Sequence, residues 1–216
     1  MVSRIEEALS FERFNRYLEW AAGNHEQALD LYALNTRLSE SLYTPLQMLE
    51  VTLRNRIHVV LADAVCERWF DQVNFLRVEN QRRQIEKAYE DLKGNDRDVA
   101  AGRVVAALTF SFWTSMFSPD YEQLWQQTLF RIAIGNGGKC RARKEFSAPL
   151  TQIRILRNRV AHHEPIIQWN LQKHYGNITE LTRWLAPVSA DWCRQHSRFP
   201  EVYPAERINL AESRRS

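Results

Sequence analysis

Apolar residues along the chain recur at three- and four-residue intervals, the period that gathers them on one face of a helix. The clearest case runs from Leu46 to Val65, where Leu49, Leu53, Ile57, Val60, Leu61 and Ala64 form one stripe. The same spacing through Ile5, Leu9, Phe11, Phe14, Tyr17, Leu18 and Ala21 predicts one helix or two short ones, with Ser10 as a cap and a break near Gly23-Asn24. Another helix follows through Ala28, Leu31, Tyr32, Leu34, Leu38 and Leu42. Thr44-Pro45 predicts a restart, with Thr as cap and Pro in the first turn.

Trp69-Phe70-Asp71 reads as an aromatic plug at a helix end. Residues 79–93 alternate charge around Ile85, Ala88, Tyr89 and Leu92, a solvated amphipathic helix that Gly94-Asn95-Asp96 ends. From Asp96 or Asp98, through Val99 to Phe117, large apolar residues surround most of the circumference, which predicts the most buried helix. Its Phe110, Phe112, Trp113 and Phe117 are better used in a core than in stacking on bases. Tyr121 to Ile134 continues as a helix and Gly135-Asn136-Gly137-Gly138 as a loop. That loop lacks the Lys and Ser/Thr of a phosphate-cradling P-loop. A helix entered at Pro149 or slightly earlier should end before Pro165, and two more cover Leu171 to Leu185 and Pro187 to Trp192. Phe199 to Pro204 reads as extended and Ala205 to Ser216 as a frayed tail.

The expected fold class is therefore all-α: one helical domain over residues 1–195 and an extended C-terminal tail over 196–216. Composition agrees, because only seven Gly and seven Pro disfavour a hairpin-rich β protein. A hydrophobic fraction of 44%, with ten Phe, seven Tyr and seven Trp, supplies a sizeable core. Cys66, Cys140 and Cys193 are odd in number and far apart, which fits reduced thiols better than a disulfide frame or a zinc site. No signal-like N-terminus or bilayer-length apolar run is present, so a soluble, cytoplasmic protein with no membrane partner is expected. A net charge of +3 does not by itself argue for nucleic acid. From Arg131 to Arg159, however, eight Lys or Arg accompany one acid, Glu145, which reads either as a phosphate-backbone track or as a solvated face.

The chemistry concentrates in Leu156-Arg157-Asn158-Arg159-Val160-Ala161-His162-His163-Glu164-Pro165. On a helix, Leu150, Ile153, Leu156 and Val160 form the buried stripe, with His163 beside it. Arg154, Asn158 and His162 line a neighbouring face, with Arg157 on the border. Pro165 stops the helix, so His162 falls in the last turn, among unpaired carbonyls. Histidine exchanges protons near neutrality and suits acid–base work, whereas arginine keeps its proton and suits phosphate. With no clustered carboxylates, that set points to phosphodiester chemistry without a metal. The plainer reading is a surface arginine and a pair of capping histidines. Earlier in the chain Arg54 and His58 lie four apart on one face beside Asn55. They read as polar support or RNA contact, and His58 most simply as a satisfied structural histidine.

The string LRNRVAHHEPI resembles the signature of the HEPN superfamily, in which an Arg is followed after four to six residues by a His. More narrowly it resembles the Abi-like (abortive infection) branch, as do Met48-Leu49-Glu50-Val51-Thr52-Leu53-Arg54-Asn55-Arg56-Ile57-His58 and Leu108-Thr109-Phe110-Ser111-Phe112-Trp113-Thr114-Ser115-Met116-Phe117-Ser118. The Arg–His spacing recurs by chance in basic helices; three stretches in series are much stronger. The resemblance implies a HEPN-type bundle and an endoribonuclease of a phage-defence or toxin-like system. It implies Arg157, Asn158 and His162 as the catalytic set, a 2′,3′-cyclic phosphate product, no metal or other cofactor, and a homodimer that brings two motifs together. A cognate antitoxin or small structured RNA is a further expected partner. Expected RNA contacts are Arg141, Arg143, Lys144, Arg154, Arg159, Arg54 and His58. The rival readings are a non-catalytic RNA-binding module and a structural helical interaction protein.

Overall fold

The structure is a computed structural model that describes residues 8–9, 11–94, 98–134, 141–206 and 208–211. Among these residues there is no strand. The helices are α1 (Phe11–Trp20), α2 (His25–Ser41), α3 (Tyr43–Ala64), α4 (Glu79–Gly94), α5 (Ala101–Ala107), α6 (Phe110–Ser115), α7 (Glu122–Gln127), α8 (Arg143–Ala161), α9 (Leu171–Leu185), α10 (Pro187–His196) and α11 (Phe199–Val202). Three single 3-10 turns, Trp69–Asp71, Pro119–Tyr121 and Leu129–Ile132, join them.

Helix α3 is the axis of the fold. Its stripe of Leu46, Leu49, Leu53, Ile57, Val60 and Leu61 is buried, and α9, α10 and the Leu129–Ile132 turn pack along it. Helix α8 lays Phe146, Leu150, Ile153 and Leu156 into the same core. Trp69 is fully buried among Phe70, Phe75, Phe112 and Trp113, so the aromatic plug forms as the sequence predicts.

Several boundaries differ from the sequence reading, each for a local reason. Helix α3 starts at Tyr43, and Thr44 makes no cap because Leu42, still helical, joins α2 to α3 directly. The expected helix from Val99 to Phe117 is two, because Leu108 is extended and the Thr109 hydroxyl caps α6 by accepting from the Phe112 N–H. The segment from Tyr121 to Ile134 breaks at Thr128. Helix α8 begins at Arg143 and runs through Pro149, held at its start by the Glu145 carboxylate, which accepts from the Ala142 N–H at 2.7 Å. Residues 199–202 form a helical turn, and the Ala211 N–H donates to Trp20 C=O, so part of the expected tail returns to α1. The glycine loop at 135–138, Cys140, Ser10 and the first seven residues lie outside the described residues.

His58 is the satisfied histidine the sequence favours. Its Nδ1 accepts from Trp69 Nε1 at 3.2 Å, and burial holds it below the ordinary histidine range against a smaller opposing pull from Glu67. His174 is lowered as well, first by burial and then by Lys173. Below pH about 6.5 the unfolded chain binds these protons and the folded chain resists them, so stability is complete above that pH and declines as pH falls through it. Melting curves between pH 5 and 8 should show this decline, and His58→Gln should flatten it in part.

Candidate functional site

Helices α2, α3 and α8 enclose a cleft of about 620 Å³. Helix α2 contributes Thr36, Ser39 and Glu40, and α3 contributes Tyr43, Leu46, Gln47, Glu50, Val51 and Arg54. The end of α8 contributes Arg157, Val160, Ala161 and, beyond the helix, His163. Arg157, from the motif stretch, therefore meets Arg54, from the other RN-containing stretch. Asn158 and His162 are exposed and do not line the cleft.

The reason His163 reaches the cleft lies in how α8 stops. His162 is the C-cap, and His163 follows with φ 57° in the left-handed region. The Glu164 N–H donates to Arg159 C=O at 2.8 Å and the His163 N–H to Val160 C=O at 3.2 Å, the paired bonds of a Schellman turn. This turn takes His163 off the helical projection, which had left it beside the apolar stripe. Five residues separate Arg157 from His163, so this pair also meets the four-to-six spacing. The turn is then tied down: Arg159 donates to Pro165 C=O at 2.9 Å, and the buried Asn35 side chain accepts from the Ile166 N–H at 2.7 Å.

Arg157 Nε stands 3.5 Å from the Glu50 carboxylate, with 39% of the arginine side chain exposed. An ion pair of that kind contributes about 0–1 kcal/mol, so Glu50 aims the guanidinium without locking it. Two polar atoms of the cleft residues, Arg54 Nε and Ser39 Oγ, are buried with no hydrogen-bond partner among the described residues. Each such atom costs roughly 1–3 kcal/mol unless something satisfies it. The cleft thus combines two guanidinium groups and an imidazole over an apolar floor, with exposed Tyr43 among its walls, and Arg54 also donates from Nη1 to Ala106 C=O at 3.4 Å. Glu50 and Ser39 are residues the sequence analysis did not select. Glu50 lies in the 48–58 stretch, four before Arg54, which is its signal in the sequence.

Several cations of the basic segment from Arg131 to Arg159 are engaged within the chain. Arg131 pairs with Asp63 at 2.6 Å, and Arg141 lies 3.9 Å over the Trp184 ring while pairing with Glu145. Buried Arg143 binds Glu122 and Phe117 C=O, and its bond holds the Glu122 carboxyl below the usual range. Arg159 stacks 5.2 Å over Trp169. These contacts engage Arg141, Arg143 and Arg159 within the chain, as the Trp69 bond engages His58. Asp63, Glu122 and Trp184 come from distant parts of the chain, which a local charge count does not see. Lys144 and Arg154 line a second cavity.

Among the described residues no group of three or more His, Cys, Asp or Glu is placed to hold a metal ion, and no helix is long and apolar enough to cross a membrane. Residues 8–170 match the family model described as Abi-like protein. No curated protein and no solved structure matches the chain.

Proposed function

Because the chain belongs to the Abi-like family, we propose that it is a HEPN-type endoribonuclease whose reaction centre is the cleft between α2, α3 and α8. Family membership points to a role in abortive infection, a defence function. The observation that carries the enzymatic reading is the convergence of Arg157, Arg54 and His163 on one cleft.

In this reading the ribose 2′-hydroxyl is the nucleophile, so the reaction needs no metal-bound water. His163 takes the 2′ proton as the new O2′–P bond forms and the P–O5′ bond breaks. The 5′ oxygen leaves as an alcohol with a proton from water, and the other product ends in a 2′,3′-cyclic phosphate. Arg157 and Arg54 hold the non-bridging oxygens, whose charge grows in the transition state. The phosphate displaces Glu50 from Arg157, which the weakness of that pair permits.

Labelled RNA incubated with the protein in EDTA should yield cyclic-phosphate ends. Arg157→Ala and His163→Ala should each lower the rate by about 10²–10⁴-fold, and His162→Ala by only a few-fold. Loss of cleavage in His162→Ala, with His163→Ala active, would overturn the cleft assignment and return the chemistry to the exposed His162 and Asn158. RNA retention without any cleavage would make the protein a binding module instead.

A further inference from the structure

The third stretch of family resemblance, residues 108–118, contributes nothing to the cleft, yet it builds one wall of a second cavity of about 600 Å³ against the outer face of α8. That wall carries the hydroxyls of Thr114, Ser115 and Ser118, and α8 answers with Lys144, Ser147, Thr151 and Arg154. Unlike the first cleft, this cavity has no carboxylate in its lining. Its third cation, Arg143, is held by Glu122 and Phe117 C=O, but the side chains of Lys144 and Arg154 make no ion pair or hydrogen bond among the described residues. Glu122, whose charge Lys144 also feels, is already held by Arg143.

From this lining we propose that the second cavity binds the phosphodiester backbone of the RNA strand whose reacting phosphate sits at Arg157; the proposal rests on the nuclease reading above. Two unpaired cations with hydroxyls between them suit phosphate oxygens, and the volume falls within the range of nucleotide-sized sites. Three of the hydroxyls now donate to backbone carbonyls within their own turns, Thr114 and Ser115 to Ser111 and Thr151 to Ser147, while Ser118 donates to the Asp120 carboxylate just outside the lining at 3.1 Å. Those local bonds exchange readily, because a hydroxyl hydrogen rotates to suit its partner. Placement along α8 gives the strand its direction. Arg154 lies one turn before Arg157, about 4.5 Å along the axis and about 60° around it, and Lys144 lies about 15 Å further toward the N-terminus. A strand leaving the cleft past Arg154 therefore follows the helix toward Lys144.

The test is equilibrium binding of a fluorescein-labelled 12-nucleotide RNA to the full-length His163→Ala protein across a potassium chloride series. Each phosphate contact on a single strand contributes about 0.7 to the slope of log K against log salt. Lys144→Gln with Arg154→Gln should reduce that slope by about 1.4, and Lys144→Gln alone by about 0.7. Lys87→Gln, outside the cavity, should leave it unchanged. In the active protein the double variant should raise KM for the 12-mer about tenfold. An unchanged slope, or the absence of RNA binding altogether, overturns the proposal. If the protein binds with the expected slope change but never cleaves, the second site stands and the nuclease reading fails. Circular dichroism of each variant separates lost contact from lost fold, and exposed Lys144 alone provides a variant with no packing to lose.

Discussion

Replacing His163 with glycine should leave the protein inactive and yet more stable than the corresponding alanine variant. His163 holds φ 57°, and for an L-residue that geometry costs roughly 1–2 kcal/mol, which glycine avoids. Glycine returns about 0.5–1 kcal/mol of that through its larger unfolded-state entropy, so the net gain over alanine is below about 1.5 kcal/mol. Both variants lose the imidazole, so both should lose about 10²–10⁴-fold in cleavage. Comparing glycine with alanine isolates the turn, because the contacts of the histidine ring vanish from each. Urea titrations of the two proteins measure it. A glycine variant less stable than the alanine one would mean that the turn stores less strain than glycine's unfolded-state entropy costs. Glycine is the usual residue at this position of a helix stop, and the presence of histidine instead fits a site selected for its side chain.

This turn also marks where the sequence stops being legible. Periodicity found the buried faces of α3 and α8, Leu49, Leu53 and Ile57 on one, Leu150, Ile153 and Leu156 on the other, because burial repeats at the helical period. It also placed α9 at its observed bounds. Projection and motif spacing both favour His162, but a projection assumes that the helix continues, and the change of φ at His163 leaves no periodic trace. The joined helix through residues 99–117 failed similarly: the Thr109 cap acts through one hydroxyl, inside a run whose hydrophobicity is continuous. The partners of the basic segment escape a sequence reading for a different reason. Glu122, Asp63 and Trp184 neutralise or cover arginines that lie between 21 and 68 residues away in sequence or across the core, and no local window contains both partners. Arg157 and Arg54 were selected because they sit in stretches that resemble the family; Glu50 and Ser39 were not, because their roles exist only across the assembled cleft.

Asn35→Ala should destabilise the protein by roughly 1–3 kcal/mol and slow cleavage even where the variant remains folded. Asn35 is 4% exposed on α2, and its side-chain oxygen takes the N–H of Ile166, itself fully buried. Alanine removes the acceptor and leaves that N–H without a partner in an apolar setting, where water cannot easily replace it. The strain at His163 persists only while the residues after it are pinned, and Asn35 pins them three residues on, next to the Arg159 bond to Pro165 C=O. Loosening Ile166 therefore releases the turn toward ordinary φ values and withdraws the imidazole from the cleft. Hydrogen exchange reports the two effects separately: the Ile166 amide should lose protection far more than the amides of the α3 core. A cleavage rate that falls tenfold at a temperature well below the melting point, alongside that local loss, is the expected result. If the Ile166 amide keeps its protection in the variant, Asn35 is not what holds the turn, and the link from α2 to the histidine is broken.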